Sequence, residues 1–84
     1  MKYCLITFRS VTPAQKGEML LQRNGISCSL QRTPRSMAKQ GCGYCLRVRY
    51  SDAPQCVQLF REHNIGFQKV YLQLNETAAE ELEL

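Results

Sequence analysis

Tyr44-Cys45-Leu46-Arg47-Val48-Arg49-Tyr50, followed by Ser51 and then Asp52-Ala53-Pro54-Gln55, is the stretch that decides the fold. Its first seven residues alternate apolar and polar, the period-two pattern of a strand with one buried face. Tyr44, Leu46, Val48 and Tyr50 fall on one side, and Cys45, Arg47 and Arg49 on the other. The chain then changes grammar. Asp52 suits the position that caps a helix, Pro54 suits the first turn, and Gln55 stands three residues after the cap. Ala53, Cys56, Val57 and Phe60 continue at helical spacing, and the helix should end near His63-Asn64.

The same grammar appears upstream. Residues 2–9 are rich in Tyr, Ile, Thr and Phe and read as a strand. In Thr12-Pro13-Ala14-Gln15, Thr12 can cap, Pro13 suits the first turn and Gln15 can close a capping box. At about 100° per residue, Ala14, Gly17, Leu20 and Leu21 share one side. Gly17, inside that stripe, would let the helix come close to the sheet. The helix should run to about Asn24, with Gly25 in the left-handed position that ends it. Ile26-Ser27-Cys28-Ser29-Leu30-Gln31 alternates as a second strand, and residues 67–74 supply the last.

The order strand–helix–strand–strand–helix–strand predicts a soluble α+β domain of the ferredoxin-like βαββαβ kind. Its sheet would be four-stranded and antiparallel, with two helices on one face. Right-handed crossovers place the first and third strands centrally. Residues 1–74 would form this single domain. Residues 75–84 would be an acidic tail, good at forming helix but with little to pack on, and so frayed or docked on a neighbour.

Eighty-four residues make one domain, whose core is too thin for a deep enclosed active site. Function is therefore expected on a surface, a loop or an interface. No apolar run approaches the roughly 20 residues that cross a bilayer. Arg9 interrupts the apolar start and no small-residue cleavage site follows, so a cytoplasmic location with no membrane contact is expected. The net charge of +4 hides an asymmetry. Residues 1–74 hold all eleven Lys and Arg against Glu18, Asp52 and Glu62, whereas Glu76, Glu80, Glu81 and Glu83 lie in the tail. Arg32, Arg35, Lys39, Arg47 and Arg49 follow one another with no acid between them, which favours an anionic partner or a solvated basic face.

Residues 33–43 are too many for a hairpin, whose loops usually run about 2–5 residues. The stretch reads Thr-Pro-Arg-Ser-Met-Ala-Lys-Gln-Gly-Cys-Gly, with Thr33-Pro34 able to start a helical turn and Gly41 to end it. Cys42 stands between Gly41 and Gly43, uncrowded, at a tip that could reach into a partner. A thiol reacts as the thiolate, and the cations Arg35, Lys39 and Arg47 would lower its pKa. The plainer reading is a loop cysteine with no task.

The remaining motifs divide in the same way. Five cysteines cannot all pair, and without an export signal they are expected as thiols. Cys42-Gly43-Tyr44-Cys45 is a C-x-x-C, which suggests a dithiol redox pair with Cys45 as resolving thiol. It leads into a strand, however, where positions three apart lie roughly 10 Å from each other, and only a turn at Gly43 would join them. Zinc would need a second paired motif that this sequence lacks, so no metal is expected, and His63 is read as an exposed residue near a helix end. Core packing accounts for Cys4, Cys28 and Cys56. Arg47 and Arg49, with Tyr3 or Tyr71, could stack on and neutralise RNA on the open sheet face. The aromatic signature of such modules is missing, so a solvated or dimerising face is favoured over nucleic acid. No P-loop, dinucleotide turn, Ser/His/Asp set or carboxylate pair in a plausible cleft is present, so no cofactor is expected and a carrier or adaptor is favoured over a free-standing enzyme.

Lys2-Tyr3-Cys4-Leu5-Ile6-Thr7-Phe8 with Ser10 and Thr12, then Leu20-Leu21 and Gly25-Ile26, resembles a family of small bacterial proteins named as selenium/sulfur carrier-like. Thr33-Pro34-Arg35, Cys42-Gly43, Leu46-Arg47-Val48 and His63-Asn64-Ile65-Gly66-Phe67 carry the likeness over nearly all of residues 2–72. The resemblance implies a ferredoxin-like domain whose cysteine before glycine, Cys42, holds a persulfide or selenide. Established sulfur carriers of tRNA thiolation use Cys-Pro-x-Pro, whereas glycine follows Cys42 here. Cys45 stands where a small residue is expected in relatives, as a resolving thiol or as a packing substitution.

Three expectations result. The first is a carrier that takes sulfur or selenium from a donor enzyme on Cys42, with Arg35, Lys39, Gly41, Gly43 and Arg47 around it. The second is a non-catalytic interaction domain, such as a homodimer paired through its sheet face. The third is a redox dithiol of Cys42 and Cys45.

Overall fold

The computed structural model describes residues 2–33, 43–75 and 78–83. Along the chain run β1 (Tyr3–Phe8), α1 (Val11–Arg23), β2 (Cys28–Arg32) and β3 (Tyr44–Arg49). A short 3₁₀ turn over Tyr50–Asp52 leads into α2 (Ala53–Glu62), followed by β4 (Val70–Gln73) and β5 (Ala79–Leu82). The fold is α+β, and every strand pair is antiparallel in the order β2-β3-β1-β4-β5.

The sheet therefore has five strands, not the four expected from sequence. The extra strand comes from the acidic segment that helix propensity marked as a tail. Without it, β4 would present a row of unpaired N–H and C=O groups along its outer edge. The chain returns beside β4: the Leu74 N–H donates to the Ala78 carbonyl at 3.0 Å, and the Ala78 N–H donates to Asn75 Oδ1 at 2.9 Å. Leu82 then packs against the core in register with Val70. Cross-strand pairing and one apolar contact outweigh a propensity difference of a few tenths of a kcal/mol per residue.

Both helices pack on the face formed by Cys4, Ile6, Phe8, Leu46, Val48 and Val70. The expected stripes are the buried ones: Ala14, Gly17, Leu20 and Leu21 on α1, and Ala53, Cys56, Val57 and Phe60 on α2. A Cβ on Gly17 would stand 3.1 Å from Phe60 Cε1 and 3.2 Å from Leu46 Cδ1, so this glycine sets the closeness of helix, sheet and second helix. Phe60 is the hub, meeting Phe8 edge-on at 5.7 Å and Phe67 at 5.9 Å.

The start of α1 differs from expectation, whereas the start of α2 at Asp52 and both helix ends agree with it. α1 begins at Val11 with extended Ser10 before it, and neither Ser10 nor Asp52 makes a side-chain capping bond. Pro13 is tolerated because first-turn N–H groups have no partner within the helix. Both helices end alike. The Ile26 N–H donates to the Leu21 carbonyl at 2.9 Å and the Gly25 N–H to the Gln22 carbonyl at 3.1 Å. At the end of α2, Ile65 and Asn64 repeat the pair on Phe60 and Arg61. Gly25 (φ 73°) and Asn64 (φ 57°) take the left-handed turn this double bond requires.

Candidate functional site

Cys42, Arg35, Lys39 and Gly41 lie outside the described residues. What the structure describes is the frame on either side of them, together with Gly43, Cys45 and Arg47. β2 and β3 are closed at this end by the Thr33 N–H, which donates to the Gly43 carbonyl at 2.9 Å. A Cβ on Gly43 would come within 3.3 Å of both the Phe8 carbonyl oxygen and Thr33 Oγ1. A side chain after Cys42 would therefore require the Phe8 backbone and the Thr33 side chain to give by a few tenths of an ångström.

Cys45 points away from the helices and is nevertheless fully buried. Burial pushes its thiol up to about 11, and the nearby Thr33 hydroxyl works in the opposite direction. The Thr33 hydroxyl does not reach hydrogen-bond geometry, and its buried oxygen has no partner among the described residues. The other described thiols are also withdrawn. Cys4 and Cys56 are fully buried, and Cys28 packs at the core margin with its Sγ 3.9 Å from the Glu18 carbonyl. Desolvation raises all three, Cys56 to about 12, with further upward pressure on Cys56 from Asp52 and on Cys28 from Glu18. A thiol in this range is protonated at neutral pH and a poor nucleophile.

Arg47 stands four residues beyond Gly43 on β3, on the side that Cys45 occupies. Its guanidinium lies over the Tyr3 ring, 3.7 Å from the centroid. Tyr3 is in register with Arg49, so the guanidinium leans toward the end of β3 remote from Gly43. Arg47 Nε is buried and has no hydrogen-bond partner among the described residues. Arg49 is exposed, and Arg32 lies 5.9 Å from the Tyr44 ring. The described part of the expected site thus separates into two places: a buried thiol beside Thr33 and Gly43, and a stacked arginine near the opposite strand end. The alternation of β3 foretold which face these side chains share. Nothing local to the sequence marks Thr33 as a buried hydroxyl, because that follows from the pairing of Thr33 with Gly43.

His63 caps the end of α2 and is exposed. Among the described residues no group of three His, Cys, Asp or Glu side chains could hold a metal ion. No helix among them is long and apolar enough to cross a membrane.

A family model described as Putative Se/S carrier protein-like matches residues 3–72. Neither a curated protein nor a solved structure matches the chain.

Proposed function

Because the chain belongs to this Se/S carrier protein-like family, we propose that it carries sulfur or selenium on Cys42. The scaffold would be a ferredoxin-like arrangement extended by a fifth strand. One observation carries the choice of thiol. Cys4, Cys45 and Cys56 are fully buried, Cys28 is partly buried, and burial raises the pKa of all four. Burial thus makes the other four thiols less suited to transfer chemistry, which favours Cys42 in this reading.

Loading is a transfer of one sulfur atom. The Cys42 thiolate attacks the outer sulfur of a donor enzyme's persulfide. The S–S bond of the donor breaks as the new one forms, and the donor leaves as a thiolate. Oxidation state is conserved, so no outside oxidant enters. Arg35 and Lys39, near Cys42 in sequence, would stabilise the anionic sulfur and help to dock an acidic donor. The Thr33–Gly43 hydrogen bond joins the two strand ends from which the intervening segment departs. Cys45 acts in this reading as a packing residue, since a thiol with a pKa of about 11 and no exposure is poorly suited to resolve a disulfide. The carrier would work in the cytoplasm with protein partners. The interaction-domain reading has less support, because Leu5 and Cys45, the apolar residues that a pairing sheet face would use, are already buried within one chain.

The test is intact-protein mass spectrometry after incubation with a cysteine desulfurase and free cysteine, with Cys42→Ser in parallel. We expect one added sulfur on the wild type, removed by reductant and absent from the variant. An unmodified wild type beside a well-loaded control carrier overturns the proposal.

A further inference from the structure

On the helix-free face, Arg47 Nε is buried and has no hydrogen-bond partner among the described residues. Tyr3 supports its guanidinium at 3.7 Å. Its cross-strand neighbours are Leu5 and Ser29, neither of which carries charge. The nearest acid along that row is Glu81, beyond Leu5 and Tyr71. Three interstrand spacings are about 14 Å, too far for a side chain to bridge. Glu81 is in any case paired with Lys69 at 3.0 Å. A buried N–H left without an acceptor is costly, and such groups are rare.

The surroundings add charge of the same sign. Arg49 is in register with Tyr3, and Lys2 precedes Tyr3 in the chain. The Tyr50 N–H donates to the Lys2 carbonyl at 3.0 Å, and Lys2 Nζ lies 5.9 Å from the Tyr50 ring. By strand parity Arg47 and Arg49 stand with Tyr3 on the helix-free face, whereas Lys2 and Tyr50, which lie against each other, have the parity of Cys4 and Val48 and belong to the helix side. Asp52, which begins α2, acts on the helix side, where it raises the Cys56 thiol.

We infer that the Arg47 and Arg49 corner of the helix-free face is a binding site for a doubly charged oxyanion of the phosphate class, with Arg47 as its recognition residue. A guanidinium offers Nε and one Nη as a fork matched to two oxygens, and stacking on Tyr3 removes much of the conformational freedom lost on binding. Two guanidiniums on one face with no acid among their cross-strand partners favour a dianion over a single carboxylate. Nε is shielded, so the exposure Arg47 retains lies elsewhere on the side chain. The anion first meets that outer part, and a turn of the guanidinium on its aromatic support brings Nε–H to the acceptor it lacks. The site uses none of the residues on which sulfur loading depends, and it stands apart from the carrier reading.

The experiment is an NMR titration of the arginine Nε–H signals with inorganic phosphate, and separately with adenosine monophosphate. The expected result is a saturable shift of the Arg47 signal in the millimolar range, larger than those of Arg9, Arg23 and Arg61. Equal affinity for the two ligands identifies free phosphate as sufficient; tighter binding of the nucleotide identifies a phosphoryl group on a larger molecule. Arg47→Lys keeps the charge and loses the fork, and should weaken binding about tenfold, read from the Leu5 and Val48 amides. Uniform small shifts at all arginines, or unchanged affinity in Arg47→Lys, overturn the site. Repeating the titration on Cys42→Ser separates a failure of this site from a failure of sulfur loading.

Discussion

The two faces of the sheet are both dry at their centre and are kept dry by different means. On the helix side, Cys4, Ile6, Phe8, Leu46, Val48 and Val70 meet apolar residues of α1 and α2, and the seal is interdigitated hydrocarbon. On the other side, Leu5 is 1% exposed and Cys45 is not exposed at all, yet neither belongs to that core. Leu5 lies in register between Arg47 and Tyr71, whose half-buried side chains combine an apolar stem or ring with a polar end. Thr7 is fixed on the same face by its hydroxyl, which donates to the Lys69 carbonyl at 3.2 Å and accepts from the Lys69 N–H at 3.0 Å. Burial is similar on the two faces and the consequence differs. A face closed by amphipathic side chains still offers charge to a ligand, whereas a face closed by helices offers none.

Three perturbations break or sharpen this comparison. The largest effect belongs to the helix side: Phe60→Ala removes the ring that meets Phe8, Phe67 and the Gly17 position, and should cost about 3–5 kcal/mol in urea unfolding. Leu5→Ala asks whether the helix-free face is a second core. A loss of about 2–3 kcal/mol is expected from its burial, and a loss under about 1 kcal/mol would show that the amphipathic cover yields easily.

The third perturbation is pH, and it samples one thiol from each face. Cys56 and Cys45 are raised from 9.0 to about 12 and about 11, so the folded protein keeps them protonated where an unfolded thiol ionises. Their contribution to stability is full below about pH 9. It is lost as pH rises toward the folded values, at about 1.4 kcal/mol per unit for each thiol. Urea midpoints should be flat up to about pH 8 and fall above 9. Cys56→Ala and Cys45→Ala should each remove part of that slope. A midpoint that rises over this window, or an unchanged slope in both variants, contradicts the burial of these thiols.

Much of this was legible in the residues, and the exceptions have physical causes. The alternation of residues 44–50 correctly separated Leu46 and Val48 from Cys45 and Arg47, because side-chain direction in a strand depends only on position parity. The helix stripes and the Gly25 turn were legible because they are properties of a single element. Asp52 stands at the expected cap position of α2, though its side chain makes no capping bond, whereas the cap at Thr12 failed because β1 releases the chain early enough for α1 to begin at Val11. β5 failed because Ala79-Glu80-Glu81-Leu82 carries strong helix formers, and only the open edge of β4 makes a strand of it. The stretch holding Cys42, Arg35, Lys39 and Gly41 lies outside the described residues, so its reading still rests on sequence and family.

The sequence by itself determined what local rules can carry: an α+β chain, the buried face of each helix, the basic body with its acidic end, and membership of the family through residues 3–72. Tertiary structure decided the fifth strand, the burial of Cys45 and the stacking of Arg47 on Tyr3, with its Nε lacking a partner among the described residues. Each of those depends on which strands become neighbours, and contact between distant segments is a property of the folded chain that no local pattern encodes.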